Sequence, residues 1–314
     1  MTQASVTHQP ASSGGSEAPP FGAYTPTPLQ ARLIDFARRQ PDSWLGKRLA
    51  FLARRAVMMQ LRHPLDVEVF GQRMRLNPFN NVSEKRILFT PQYFDLQERE
   101  ILRDHIVDGF VFVDIGANIG GYALYVAGHA GRGARILAIE PQPVVFDRLV
   151  QNISLNPSGA IKAIACALAD KEGEMTLFLS ARNKGESSVK YVATPGSEDQ
   201  SVQVPARTLI NLLREEGIDR IDALKIDVEG AEDLILVPFL EDAPESLLPS
   251  LMIIENARDR WQTDCIALLQ RMGYRQVAQT RLNVVLERGE TAGAQPENGT
   301  AREISTPSSV TEHP

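Results

Sequence analysis

Over residues 28–62 apolar side chains recur at steps of three and four. Leu45, Leu49, Leu52, Ala56 and Met59 share one face, while Lys47, Arg48, Arg54, Arg55 and Arg62 fall largely on others. That period predicts an amphipathic helix, which Pro64 helps to end. Its apolar stripe is expected to pack on the rest of the chain; a weak contact with an anionic membrane through residues 45–62 is the competing reading. From Leu65 the period shortens to two. Val67, Val69 and Phe70, then Met74 and Leu76, predict a hairpin turning at Gly71-Gln72. A helical stretch follows over residues 95–106. Short apolar runs at 111–114, 135–139, 161–168, 223–228 and 251–255 then alternate with helical patterns at 122–130, 144–155, 209–216, 231–240 and 265–272. Residues 175–179 and 202–205 read as added strands around a loop, and 275–278 with 283–287 close the domain. Strands alternating with helices predict an α/β fold with a mostly parallel sheet and helices on both faces. Ligands of such sheets sit at the carboxyl ends of the strands.

Four regions follow from this pattern. Residues 1–25 and 289–314 are poor in large apolar side chains and read as disordered tails. Residues 26–64 form a helical N-terminal extension, and 65–288 form the main α/β domain. The 314 residues carry a formal charge of −6 and only 6% aromatic side chains. That balance disfavours a nucleic-acid partner, which calls for a basic surface and stacking platforms. No apolar run approaches a membrane span and the start has no signal-peptide pattern, so a cytoplasmic location is expected. Cys166 and Cys265 stand outside any CxxC or Cys/His cluster and read as buried thiols. The oligomeric state is open.

The densest chemistry lies in Val111-Phe-Val-Asp-Ile-Gly-Ala-Asn-Ile-Gly-Gly-Tyr122. An apolar strand ends in Asp114, and Gly116, Asn118, Gly120 and Gly121 lead into a helix. Gly116 lets the backbone approach a ligand closely. The dinucleotide fingerprint G-x-G-x-x-G has asparagine at its second glycine here, which makes a pyrophosphate harder to cradle. Asp114 suits a ligand carrying an ammonium group. Glu140 ends the next strand, where a carboxylate can accept hydrogen bonds from both ribose hydroxyls. Asp170, after the third strand, is placed to accept from an adenine amine. Together these residues indicate an adenosine-type ligand. Further on, strand alternation puts Lys225, Asp227 and Glu229 on one side. Asp227 and Glu229 read as base or orienting carboxylates, with Lys225 holding Asp227 ionised. Asn183, Ser187 and Glu255 are candidates for binding a second substrate. A divalent metal on Asp227, Glu229 and Glu255 is set aside for want of a dense oxygen cluster.

Taken together, Val113-Asp-Ile-Gly-Ala-Asn-Ile-Gly120, Ile139-Glu-Pro141, Ala167-Leu-Ala-Asp170, Asn183-Lys-Gly-Glu-Ser-Ser188, Val204-Pro-Ala-Arg-Thr-Leu209 and Leu224-Lys-Ile-Asp-Val-Glu-Gly-Ala-Glu232 resemble the FkbM family of methyltransferases. The likeness runs over about residues 65–287. It implies a Rossmann-like, seven-strand class I methyltransferase sheet, S-adenosylmethionine as donor, and O-methylation of a small-molecule, sugar or glycan acceptor. By the same likeness Asp114, Gly116, Asn118 and Glu140 would bind the donor. Two other readings stay open on sequence alone: a nicotinamide-dependent oxidoreductase on a related fold, and a non-catalytic scaffold that keeps the fold.

Overall fold

In the computed structural model, which describes residues 19–179, 187–188 and 200–289, the N-terminal period yields two helices rather than one. Helix α1 (Pro28–Arg38) starts from a capping box between Thr27 and Gln30, and α2 (Trp44–Gln60) starts from the Ser43 cap. Pro41 stands in the break between them and cannot continue a helix. Helix α2 also turns the other way from the sequence reading. Its buried residues are Gly46, Ala50, Ala53 and Val57, while Leu45, Leu52 and Met59 are exposed. The small side chains let α2 lie close to α1, where Ala37, Ala50 and Ala53 form a core of their own.

The hairpin follows as β1 (Leu65–Val69) and β2 (Gln72–Leu76). Its turn is Phe70-Gly71, one residue earlier than expected, and both residues have positive φ, as the tight turn that matches strand twist requires. Helix α3 (Val82–Phe89) was not anticipated from the pattern; Asn81 caps it and accepts from the Glu84 N–H. The remaining elements are α4 (Leu96–His105), β3 (Val111–Ile115), α5 (Gly121–His129), β4 (Arg135–Ile139), α6 (Pro143–Ser154), β5 (Ile161–Ile164), β6 (Ala167–Leu168), β7 (Gly173–Leu179), β8 (Ser187–Ser188), β9 (Gln200–Arg207), α7 (Leu209–Glu215), β10 (Ala223–Ile226), α8 (Glu232–Asp242), β11 (Leu251–Glu255), α9 (Cys265–Arg271), β12 (Tyr274–Gln279) and β13 (Asn283–Arg288).

Seven strands form the main sheet in the order β12-β13-β11-β10-β3-β4-β5. Strands β3, β4, β5, β10 and β11 run parallel, and β13 and β12 are antiparallel additions at one edge. Alternation along the strands divides the core in two. Phe112, Ala138, Ala223 and Ile253 join the cluster that includes Ala123 and Leu124 of α5 and Leu149 of α6. Val113, Leu137, Leu224 and Met252 face the opposite cluster, with Leu212 of α7, Leu236 of α8 and Leu269 of α9. The sheet is therefore covered on both sides, as its near-continuous apolar strands demand. The run read as one strand at 161–168 divides: β5 stays in the main sheet, and β6 joins a second sheet ordered β6-β9-β7-β8. Cys166, between the two, and Cys265 are buried and unbridged. Residues 1–18 and 290–314, most of the two stretches expected as tails, lie outside the described residues.

Candidate functional site

Strand order reverses beside β3: its chain successor β4 lies on one side, and β10 on the other. Crevices open at such points, outside the carboxyl ends of the strands. A cavity of about 460 Å³ occupies this place, lined by Asp114, Gly116, Asn118, Glu140, Lys225, Asp227, Glu229 and Glu255 among others. Eight of the residues singled out from sequence thus meet in one hollow.

The centre is a charged pair set by sheet register. Asp114 and Lys225 are opposite each other on β3 and β10, and both are buried. Lys225 Nζ lies 4.0 Å from Asp114 Oδ1 and 3.2 Å from Asp227 Oδ2. It also sits 5.1 Å from the centroid of the Tyr122 ring. Asp114 Oδ2 accepts from the Ala123 N–H, but Oδ1 is buried without a hydrogen-bond partner. Burial pushes the Asp114 carboxyl up to about 6 against the pull of Lys225. A buried carboxylate oxygen on a cavity wall that has a cation at 4.0 Å but no hydrogen bond calls for a donor from a ligand, and a ligand ammonium group meets that need.

Glu140 is also buried. Its Oε2 accepts from the Asn118 N–H and its Oε1 from the Gln142 N–H, each at 2.9 Å. Each oxygen keeps acceptor capacity for a diol. Burial raises its pKa to about 7. Asn118 explains its own place in the motif: its φ is +50°, a left-handed conformation that asparagine tolerates, and its Oδ1 accepts from the Ile119 N–H and from Asn81 Nδ2. Asn81, Val82, Ser83 and Arg86 bring α3 over the cavity, a wall the sequence reading missed. Asparagine followed three residues later by Glu84 is a helix-start signal that marks it.

Gly116 has a second duty. Its φ is +74°, and a Cβ there would lie 1.9 Å from the Asp227 carbonyl oxygen. The loops leaving β3 and β10 touch at this glycine. Gly116→Ala is therefore expected to cost about 2 kcal/mol or more and to weaken donor binding as the loop after β3, whose Gly116, Ala117 and Asn118 line the cavity, shifts. Thermal melts and donor titration check this; a variant with both unchanged would refute the contact's importance.

The other expected residues fall differently. Gly120 caps α5 with φ +91°, and a Cβ there would press on Leu149. It shapes the turn and is not among the cavity residues. Asp170 is exposed and outside the cavity; Cys166, Ala167 and Leu168 line that side instead. Asn183 lies outside the described residues, and Ser187 is described only as part of the backbone of β8. Glu229 lines the cavity with φ +57°, so the turn ends strand alternation before it. Arg260 Nη1 donates to the Glu229 carbonyl at 2.9 Å, and Arg260 Nη2 lies 3.5 Å from Glu255 Oε1. Glu255 Oε2 is buried without a partner. Burial, with the neighbouring charges of Asp227, Glu229 and Glu232, pushes the Glu255 carboxyl up to about 9. Arg86, Asp95, Arg260 and Arg281 were not anticipated; Arg86 pairs with Asp95 at 2.8 Å.

The family model of the methyltransferase FkbM domain matches residues 114–276, just over half of the chain. Methyltransferase sdnD of Sordaria araneosa is 34% identical over 167 residues, covering 43% of this chain and 64% of its own length. AMB antimetabolite synthetase AmbE of Pseudomonas aeruginosa is 28% identical over 200 residues, covering 52% of this chain and 9% of its own. The chain thus spans less than two thirds of either relative. Among solved structures, methyltransferase FkbM from Methylobacillus flagellatus is similar at 16% identity and a TM-score of 0.34, over 67% of this chain and 55% of that one. Among the described residues no helix is long and apolar enough to cross a membrane.

Proposed function

The chain belongs to the FkbM methyltransferase family, with S-adenosylmethionine as methyl donor, and on that premise we propose that it methylates a hydroxyl oxygen of a small molecule or sugar. The carrying observation is the Asp227 carboxylate. It lines the cavity, with its side chain 39% exposed, and is tied to the buried Lys225 at 3.2 Å. The membership also sets aside the nicotinamide reading.

S-adenosylmethionine supplies a methyl group on a sulfonium, already activated for in-line displacement. Of the cavity residues, Asp114 would hold its ammonium group, Glu140 its ribose hydroxyls, and Ala167 and Leu168 would border its adenine. What remains for the protein is to aim the acceptor and to remove its proton. Alignment contributes much of the rate, on the order of 7–11 kcal/mol in well-oriented reactions. Asp227 accepts the hydroxyl hydrogen bond and takes up the proton as the oxygen is methylated. Lys225 holds the Asp227 carboxylate in place through their 3.2 Å ion pair. The acceptor side carries the carboxyl groups of Asp227, Glu229 and Glu255, which disfavours a polyanionic acceptor such as nucleic acid. One relative carries the name antimetabolite synthetase, which supports a small-molecule acceptor.

Glu255 enters as a neutral acid at pH 7, since its pKa stands near 9. A raised carboxyl holds its proton below that value and loses it above, so Glu255 donates a hydrogen bond to the acceptor only on the lower side. The expected result is a kcat/KM that falls as pH rises through about 9. Glu255→Gln keeps a donor and is expected to remove that limb. An unaltered alkaline limb in the variant would assign it to another group.

The direct test incubates the protein with methyl-labelled S-adenosylmethionine and matched alcohol, amine and sugar acceptors. Label on oxygen, with none on the amines, supports the proposal. Transfer to nitrogen alone would overturn the acceptor class and leave the donor site standing.

A further inference from the structure

The outward side of α2 is a rib of bulky apolar and basic side chains. Trp44, Leu45, Phe51, Leu52 and Met59 are each more than half exposed. Trp44, Arg48, Phe51, Leu52, Arg55 and Met59 follow one another at steps of one to four residues, so they form a single strip opposite the buried Gly46, Ala50, Ala53 and Val57. The helix has 17 residues and is about 25 Å long. Contiguous exposed apolar surface of this kind marks an interaction site.

Its charge narrows the partner. Residues 44–62 hold five basic side chains and no aspartate or glutamate, whereas the whole chain carries −6. Two of the basic groups are held against the rib: the Arg48 guanidinium lies 4.5 Å from the Trp44 ring centroid, and that of Arg54 lies 4.5 Å from the Phe51 ring. Arginine and apolar side chains are interleaved along a convex surface. A folded protein partner would need a groove matched to both, in register. A bilayer interface meets the pattern in any register, with phosphates for the guanidinium groups and the acyl boundary for the rings. Tryptophan favours that same depth.

We propose that the outward face of α2 is a docking surface for an anionic lipid bilayer, on which the protein lies without crossing. The N-terminal end of the rib lies near the substrate side of the molecule. Asp42, two residues before Trp44, lines a shallow groove that shares Arg86, Asp95, Arg281 and Leu282 with the donor cavity.

Flotation of the full chain with vesicles of phosphatidylcholine, alone or with phosphatidylserine added, tests the surface. Binding is expected only with phosphatidylserine, weakening as salt is raised. It should bring a blue shift in tryptophan emission that Trp44→Phe abolishes. Phe51→Ser with Leu52→Ser, and separately Arg48→Ala with Arg55→Ala, are each expected to lower vesicle affinity about tenfold or more. All four side chains avoid the cavity, so S-adenosylmethionine affinity by calorimetry should stay unchanged and report an intact fold. No binding to anionic vesicles, equal binding to neutral ones, or binding that survives both double variants would overturn the proposal. So would a concentration-dependent dimer that Phe51→Ser with Leu52→Ser dissolves, since the face would then belong to a second copy.

Discussion

Asp114→Asn is expected to lower the affinity for S-adenosylmethionine about thirtyfold or more, with little change in melting temperature. Asparagine is nearly the same size, and its side-chain oxygen can still accept from the Ala123 N–H that Asp114 Oδ2 holds. What it lacks is the charge. Asp114 Oδ1 is buried with no hydrogen-bond partner, so the carboxylate stands ready for a cationic group. Truncating one partner of a buried charged hydrogen bond costs on the order of 2–5 kcal/mol, which is about thirtyfold to several thousandfold in Kd. Lys225 would keep Asp227 at 3.2 Å and would not be left uncompensated. Calorimetry against S-adenosylmethionine and S-adenosylhomocysteine reads the effect, since both carry the same ammonium group. A Kd within threefold of wild type would show that the ammonium group is held elsewhere.

Asp114 was legible in the sequence because its position has few explanations. A charged residue closing an apolar run, two places before a glycine, lies at a strand's carboxyl end, and the fold puts ligands there. Glu140, Asp227 and Glu255 were readable by the same rule. Asp170 was not, because the rule assumes that the third strand continues to its carboxylate. Instead β5 ends at Ile164, the chain changes sheets through β6, and the turn leaves Asp170 in solvent. Arg260 and Arg281 sit in loops that periodicity does not describe, and only the folding of their loops carries Arg281 to the cavity wall and Arg260 to Glu229 and Glu255. Helix α2 shows a different failure. An apolar stripe normally faces the core, so Leu45, Leu52 and Met59 were read as inward. The other face won because Ala50 and Ala53 let α1 approach through Ala37, and because Gly46 leaves room for the turn between the helices: a Cβ there would lie 2.3 Å from the Pro41 carbonyl oxygen. Side-chain size, not hydropathy, decided the orientation.

Asp227→Asn is expected to lower kcat by about 10²–10⁴, the range a positioned general base contributes, while donor Kd stays within about threefold. The separation follows from geometry. In the proposed arrangement the buried carboxylates Asp114 and Glu140 form the donor end, whereas Asp227 lies past the last residue of β10 with its side chain partly open to the cavity. The amide keeps the size and can still contact an acceptor hydroxyl, but it cannot take up the proton. Lys225 makes the outcome diagnostic. Lys225→Met would remove the cation beside Asp227 and Asp114 together, and it should damage both turnover and donor binding. A defect confined to kcat in Asp227→Asn, set against a combined defect in Lys225→Met, assigns proton removal to Asp227 and positioning to Lys225. If Asp227→Asn instead raises donor Kd in step with its loss of kcat, then Asp227 belongs to the donor site. Glu229, the next carboxylate along the same loop and also on the cavity wall, is then the base to test, and Glu229→Gln should carry the loss of kcat.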